Sequence, residues 1–195
     1  LIDEVSSYTN LFVIGCTGIT QNMIRNATTG RIITENFTKL DGTCQYIYDK
    51  GLSFIIYRDR PLQTEWLENA AKRWGDRFLG IYAFDENGGY QLDNQEYKAV
   101  LEADNYTDAS TQFVNNTNRI LDRYFKQSYT NSTSFPLFTS DYAFYWFDYK
   151  AGYDVLLAQL GWNYSRQLNV ALCRGAATVQ NKDWGVIIAW TYTEP

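Results

Sequence analysis

Short apolar runs alternate with helical patterns along the whole chain, and this alternation restricts the fold more than any other feature. Six apolar runs predict β-strands, at residues 10–16, 52–59, 77–85, 135–141, 154–161 and 184–192. They are apolar on both faces, as strands buried in a parallel sheet are. Strands that alternate with helices predict an α/β domain with a parallel sheet.

Helical periodicity fills the segments between these runs. The helical patterns cover residues 42–51, 61–76, 94–103, 108–127, 141–152 and 165–182. The second pattern is the most distinct, because Pro61 suits a first helical turn and Trp66 and Trp74 share a face that ends at Gly75. We expect one domain over residues 1–195, with residues 90–127 forming a helical insertion over a pocket after the third strand.

Two parallel architectures compete, and the sequence favours a (β/α)8 barrel over a doubly wound open sheet. The turn after the first strand reads GCTGIT and lacks the G-x-G-x-x-G pattern of a doubly wound nucleotide-binding fold. Polar residues gather instead at the carboxyl ends of the predicted strands, where barrels hold their functional residues. A complete barrel takes about 250 residues, so we expect the last two strands to belong to a part of the natural protein outside this chain.

The composition excludes several classes of function. The net charge is −5 and the chain has no histidine, so a nucleic-acid partner, Ser-His-Asp and Cys-His catalysis and histidine metal sites are not expected. Carboxylates, tyrosines, lysines and cysteines remain for proton transfer, and a high aromatic content together with carboxylates suits neutral polyhydroxyl ligands. We therefore predict carbohydrate as the ligand, with no metal and no cofactor.

Six N-x-S/T sequons indicate a secreted or cell-surface glycoprotein with covalent N-glycans. The sequons lie at Asn26, Asn36, Asn105, Asn115, Asn131 and Asn163. The alternative is an Asn- and Thr-rich surface that fits the pattern without being modified. The chain contains no apolar segment of about 18 residues and no signal peptide, so a mature piece without a membrane span is expected.

Three cysteines fit an extracellular protein only if two of them pair. Cys16 follows the first apolar run and Cys44 opens the next helical pattern, so both are predicted at the same end of a strand and a helix. This placement favours a Cys16–Cys44 disulfide. Cys173 lies in an apolar helical stretch and is predicted to be a buried thiol.

The stretch LGIYAFDENGG at residues 79–89 resembles the end of the third strand in sugar-processing barrels, where a G-x-Y-x-x-D-E-P pattern is common. Asn87 stands where that pattern has proline. The stretch WGVIIAWTYTEP at residues 184–195 resembles a late strand of the same class. Over its full length the chain is similar to uncharacterised secreted archaeal proteins of glycoside-hydrolase-like barrel type. The resemblance implies the barrel fold and suggests action on carbohydrate.

Carboxylates at the ends of different strands are the candidate catalytic residues, because glycoside hydrolysis needs two carboxyl groups across the scissile bond. The candidates are Asp85, Glu86, Asp141 and Glu194. We assign Glu86 as the general acid, with Asp141 or Glu194 as its partner. Alternation along an extended strand predicts that Glu86 faces the pocket, while Asp85 binds loop amides. The competing interpretation of Asp141 is a helix cap.

Aromatic residues near the same strand ends are the candidate sugar platform. Trp190 and Tyr192 alternate along the last predicted strand, and Trp162 and Asp59 follow two other strands. A second hypothesis assigns the chain no catalysis. It is then a surface glycoprotein, a carbohydrate-binding module or a subunit of an extracellular assembly, with self-association into a homo-oligomer included.

Overall fold

A computed structural model describes the structure of the protein over most of the chain. The described residues are 1–21, 23–25, 28–29, 32–58, 60–93, 98–126, 135–161 and 165–188. None of the helices within them is long and apolar enough to cross a membrane.

All six predicted strands are present; each begins within two residues of its predicted start, and the last one begins one residue earlier than predicted. The strands are β1 (Leu11–Ile14), β2 (Met23–Arg25), β3 (Ile32–Glu35), β4 (Ser53–Arg58), β5 (Phe78–Ala83), β6 (Leu137–Asp141), β7 (Val155–Gln159) and β8 (Asp183–Ile187). Six of them form one parallel sheet in the order β1-β4-β5-β6-β7-β8. The predicted parallel α/β architecture is confirmed at this level.

The described helices match the stronger periodic patterns and depart from the weaker ones. They are α1 (Ile2–Val5), α2 (Thr17–Thr20), α3 (Thr38–Asp49), α4 (Thr64–Trp74), α5 (Asn87–Leu92), α6 (Tyr106–Leu121), α7 (Tyr145–Ala151) and α8 (Arg166–Gln180). The prediction of a helix at 94–103 is wrong for residues 98–103, which form bends and irregular chain. The turn at α5 was missed, because two consecutive glycines disfavour a helix.

The chain divides into two compact units. Unit 1 comprises residues 1–82 and 128–135, and unit 2 comprises residues 83–127 and 136–195. In unit 1, the amphipathic helix α4 buries Trp66, Leu67 and Trp74. Trp74 meets Phe54 of β4 edge-on at 5.6 Å between ring centroids. This aromatic contact holds α4 against β4. The buried face of α4 is the one that gave residues 61–76 the most distinct helical pattern in the sequence.

Unit 1 also contains a hairpin between β1 and α3, in a segment for which the sequence predicted no strand. Strands β2 and β3 pair antiparallel, and β3 ends at Glu35. The Glu35 carboxylate binds the guanidinium of Arg58, with Arg58 Nη2 at 2.9 Å from Oε1 and Nη1 at 3.3 Å from Oε2. Arg58 is completely buried. Its guanidinium, at the end of β4, therefore pairs with the hairpin carboxylate. Asp59 lies outside the described residues.

In unit 2, β6, β7 and β8 pair in parallel register, with Leu157 opposite Ser140 on one side and Gly185 on the other. The helices of this unit follow one another in the same sequence, since α6 packs on α7 and α7 packs on α8. Phe113 of α6 meets Phe144 and Phe147 edge-on at the first of these contacts.

The predicted Cys16–Cys44 disulfide is wrong. All three cysteines are free thiols, with Cys16 exposed and the other two buried. Cys44 lies on the face of α3 that also buries Leu40 and Ile47, so its side chain packs into the core of unit 1. The prediction of a buried Cys173 thiol is confirmed; burial raises the pKa of Cys173 to about 12.

Three of the six sequon asparagines, Asn36, Asn105 and Asn115, are described and exposed. Asn105 is the N-cap of α6, and its Oδ1 accepts a hydrogen bond from the Asp108 N–H at 3.0 Å. Asn26, Asn131 and Asn163 lie outside the described residues. Occupancy by glycans stays a prediction.

Candidate functional site

The described candidate residues of unit 2 lie at the carboxyl ends of its strands. Asp85 and Glu86 follow β5, and Asp141 is the last residue of β6. Gln159, the last residue of β7, joins them. The remaining candidates, Trp162, Trp190, Tyr192 and Glu194, lie outside the described residues, so their predicted roles stay predictions.

The backbone turns abruptly after β5, and the predicted strand alternation through residue 86 is wrong. Phe84 and Glu86 both adopt left-handed conformations, with φ angles of 55° and 52°. Residues other than glycine in this region cost about 1–3 kcal/mol each, and they concentrate at functional sites. Phe84 turns to pack edge-on against Phe125 at 5.4 Å between ring centroids.

Asp85 and Glu86 bind to β6 in different ways. The Ser140 hydroxyl donates to Asp85 Oδ1 at 2.9 Å, whereas the Glu86 N–H donates to the Ser140 carbonyl at 3.0 Å. Asp85 thus accepts a hydrogen bond from a side-chain hydroxyl, and its contact with loop amides stays a prediction.

The Glu86 carboxyl group is half-buried and its pKa is raised. Burial is the main cause, because it disfavours the charged form. A hydrogen bond from the Gln159 side chain acts in the opposite direction, while the negative charges of Asp85 and Asp93 add to the increase. Glu86 is thus held protonated to a higher pH than an ordinary glutamate.

Asp141 is a buried anchor for α5. Its side chain is completely buried. It accepts hydrogen bonds from the N–H groups of Gly88, Gly89, Tyr142 and Ala143, at 2.6, 3.0, 2.7 and 3.0 Å. Asp141 therefore does act as a helix cap, but for α5, whose first amides it binds. It does not cap α7, because that helix begins only at Tyr145, after Phe144. Four amide donors leave this carboxylate little capacity to act on a substrate.

A second buried carboxyl group, Asp148 of α7, lies within hydrogen-bonding reach of Asp141. No N–H or O–H of the described residues donates to either oxygen of Asp148. Two carboxylates can share a hydrogen bond only when one carries a proton. Burial raises the pKa of both groups, that of Asp141 to about 7 and that of Asp148 well above the usual value of an aspartate. Since the amides favour charge on Asp141, the proton resides on Asp148.

Gly88 and Gly89 are required by close contact rather than by an unusual φ. A Cβ at Gly88 would lie 2.6 Å from Phe144 Cβ and 2.8 Å from the Ala143 carbonyl oxygen. A Cβ at Gly89 would meet the ring of Tyr142, whose hydroxyl donates to Asp93 at 2.7 Å. The two glycines bring the α5 amides close enough to reach Asp141.

Replacing Gly88 with alanine is expected to destabilise the protein by about 1–3 kcal/mol, because backbone and Cβ atoms cannot move aside as a flexible side chain can. Gly42 is the matched control, since it lies inside α3 and a Cβ there meets nothing within 4 Å. Gly42→Ala is expected to be neutral or to stabilise by up to about 1 kcal/mol. Urea denaturation of both variants measures the difference, and equal effects would contradict the close-contact explanation.

Gln159, Asp148 and Asp93 are the site residues that sequence reasoning did not assign. The sequence did place Gln159 at a strand end, because it lies near the end of an apolar run as Asp141 does. It was not assigned because an amide does not transfer protons. Asp148 and Asp93 lie within or after helices, and only tertiary packing brings them to the strand ends. Across the described chain, no three cysteine, aspartate or glutamate side chains converge as a metal site.

Comparison with known proteins identifies no relative whose site could be compared with this one. No protein-family model, curated protein or solved structure matches the chain.

Proposed function

We propose that the chain is part of a (β/α)8 barrel of glycoside-hydrolase type, secreted or at the cell surface and N-glycosylated, which acts on carbohydrate. The observation that carries this proposal is the half-buried Glu86, whose pKa is raised and which follows a parallel strand at a strained turn. A carboxyl group that keeps its proton to a higher pH than an ordinary glutamate is suited to protonate a glycosidic oxygen.

The second carboxyl group of the reaction is not Asp141, because its oxygens are already bound to amides. Asp85 and Asp93 are close enough to Glu86 to raise its pKa. Asp85 is adjacent to Glu86 in sequence and is held by Ser140, so Asp93, at the far end of α5, is the better partner. Its carboxylate accepts a hydrogen bond from the Tyr142 hydroxyl at 2.7 Å, which holds it in one orientation.

The second candidate function is binding without cleavage, in a surface glycoprotein or a structural subunit of an extracellular assembly. The position of Asp141 favours this second candidate, because a carboxylate to which the sequence assigned a catalytic role instead binds backbone amides. In this case Glu86 and Gln159 would bind sugar hydroxyl groups.

A cleavage assay tests the proposed function. The protein is incubated with a panel of plant, fungal and bacterial polysaccharides, and new reducing ends are measured from pH 4 to pH 9. Hydrolysis should fall as the pH rises through the raised pKa of Glu86, because the general acid must carry its proton. Binding of a polysaccharide with no new reducing ends would support the second candidate, and neither binding nor cleavage of any polysaccharide would contradict both.

A further inference from the structure

The strained turn over residues 83–87 is held by hydrogen bonds to the neighbouring strand β6. The Thr139 hydroxyl donates to the Phe84 carbonyl oxygen at 2.8 Å. The Glu86 N–H donates to the Ser140 carbonyl oxygen at 3.0 Å. A turn with two left-handed residues persists only when its surroundings hold it in place, so contacts of this kind offset the strain.

Tyr153 binds the same turn at both of its ends. This tyrosine lies in the connection between α7 and β7 and has no exposed surface. Its hydroxyl group donates to the Ala83 carbonyl oxygen at 2.9 Å and accepts from Asn87 Nδ2 at 2.7 Å. One hydroxyl group thus joins the residue before Phe84 to the residue after Glu86.

A tyrosine is chemically suited to this bridge between Ala83 and Asn87. The carbonyl of Ala83 needs a donor and the amide of Asn87 needs an acceptor, and a hydroxyl group is both at one atom. Burial raises the pKa of Tyr153, so the hydroxyl group keeps the proton that it donates. A phenylalanine could fill the same space but would bind neither partner.

The position of the Glu86 side chain depends on the conformation of this turn. In an extended chain, successive side chains point to opposite faces, and the left-handed backbone at Phe84 and Glu86 ends that alternation. In the observed turn the Glu86 carboxyl group is half-buried and bonds with the Gln159 side chain. Relaxation of the turn toward an extended conformation would move the carboxyl group out of this environment.

We propose that Tyr153 is a positioning residue for Glu86. By bridging Ala83 and Asn87 it holds the turn in the conformation that places the Glu86 carboxyl group beside Gln159. The role of Glu86 as general acid rests on the proposed function, whereas the effect of the bridge on its carboxyl group does not. Because Tyr153 is completely buried, it touches no substrate and acts through Glu86.

Replacing Tyr153 with phenylalanine tests the bridge, and the readout is the pKa of Glu86. Carbon-detected NMR of the side-chain carboxyl groups measures this pKa in a titration from pH 3 to pH 9. The Glu86 resonance is the one that is missing from the spectrum of Glu86→Gln. In Tyr153→Phe the pKa should fall toward that of an unstructured glutamate, about 4.3, because burial is the main cause of its increase.

Tyr149→Phe is the matched control, because it removes a similar hydrogen bond at a distance from Glu86. Tyr149 is also buried, and its hydroxyl donates to the Asp183 carbonyl oxygen at 2.7 Å. Asp183 begins β8 and so lies at the amino end of a strand, whereas Glu86 follows the carboxyl end of β5. Both variants should lose stability in urea to a similar extent, but Tyr149→Phe should leave the pKa of Glu86 unchanged.

Asn87→Ala removes the other half of the bridge from a half-buried position, where the fold tolerates a smaller side chain. Tyr153 keeps its bond to Ala83 in this variant. The pKa of Glu86 should fall as it does in Tyr153→Phe, and to a smaller extent. Asn87→Ala therefore decides the question if Tyr153→Phe does not fold.

Kinetic measurements separate this proposal from the proposed function. If the wild type cleaves a polysaccharide, Tyr153→Phe should lower kcat about 10- to 100-fold with little change in KM. Its activity should also decline at a lower pH, because the general acid loses its proton earlier. If the wild type cleaves nothing, a pKa of Glu86 that falls in Tyr153→Phe and not in Tyr149→Phe would still support the positioning role.

Two results would overturn the positioning role, whether or not the protein cleaves glycans. One is an unchanged pKa of Glu86 in Tyr153→Phe or, where that variant does not fold, in Asn87→Ala. The other is an equal fall of this pKa in Tyr149→Phe, which would indicate a general loosening of unit 2.

Discussion

Replacing Glu86 with glutamine is expected to lower the rate of glycoside cleavage by about 100- to 10,000-fold, the range that a general acid contributes. Glutamine keeps the size of the side chain and can still bond with Gln159, but it cannot donate a proton to a leaving group. The thermal unfolding midpoint should change little, because burial disfavours the charged form of this carboxyl group and glutamine carries no charge.

Glu102→Gln is the matched control for this experiment. Glu102 is an exposed glutamate of unit 2, and the same chemical change there should leave both cleavage and stability unaltered. Full activity in Glu86→Gln would show that Glu86 is not the acid, even if the protein cleaves glycans. A comparable loss in both variants would instead indicate a general effect of charge.

The two members of the buried carboxyl pair should respond in opposite ways to the same change. Asp141→Asn is expected to cost about 2–4 kcal/mol, because an NH2 group would replace an oxygen that accepts from backbone amides. Asp148→Asn should be tolerated, because its NH2 group donates to Asp141 as the shared proton does. At pH 8 the Asp148→Asn variant should be the more stable of the two by several kcal/mol.

The effect of Asp148→Asn depends on pH with a definite sign. The raised pKa of Asp148 means that the folded protein binds a proton which the unfolded chain releases near pH 4. The corresponding stability is present below that pH and is lost as the pH rises. Asparagine does not titrate. The free energy of unfolding of the variant should therefore rise relative to that of the wild type by up to about 1.4 kcal/mol per pH unit above pH 4. Urea denaturation between pH 4 and pH 8 measures this slope. A difference that does not vary with pH would mean that Asp148 is ionised in the folded protein.

The parts of the fold that were predictable depend on local patterns. The six strands of the sheet show as continuous apolar runs, and α4, α6 and α8 show as periodic faces. In β4 to β7 burial selects these residues directly, whereas β8 is apolar without being buried. The hairpin β2–β3 has no such run. The end of β5 was misjudged because Phe84 and Glu86 leave the extended conformation, which requires tertiary contacts to offset the strain.

The candidate site was predictable by location and only partly by role. The carboxyl ends of parallel strands meet at one edge of a sheet, so Glu86, Asp141 and the neighbouring amide Gln159 could be expected there. Their roles depend on partners distant in sequence. Asp141 is an anchor because Gly88 and Gly89 present amides to it, and Asp93 approaches Glu86 because α5 spans only six residues.

The ion pair between Arg58 and Glu35 makes the connection after β1 essential to the sheet. Deleting the hairpin to shorten the protein would leave the Arg58 guanidinium, which has no exposed surface, without its carboxylate. An unpaired buried charge of this kind costs about 3–5 kcal/mol, a large fraction of the stability of an average domain. The hairpin has the length and composition of a dispensable loop, yet its Glu35 supplies the counterion of the buried Arg58. Any redesign of unit 1 must retain it or replace Arg58 at the same time.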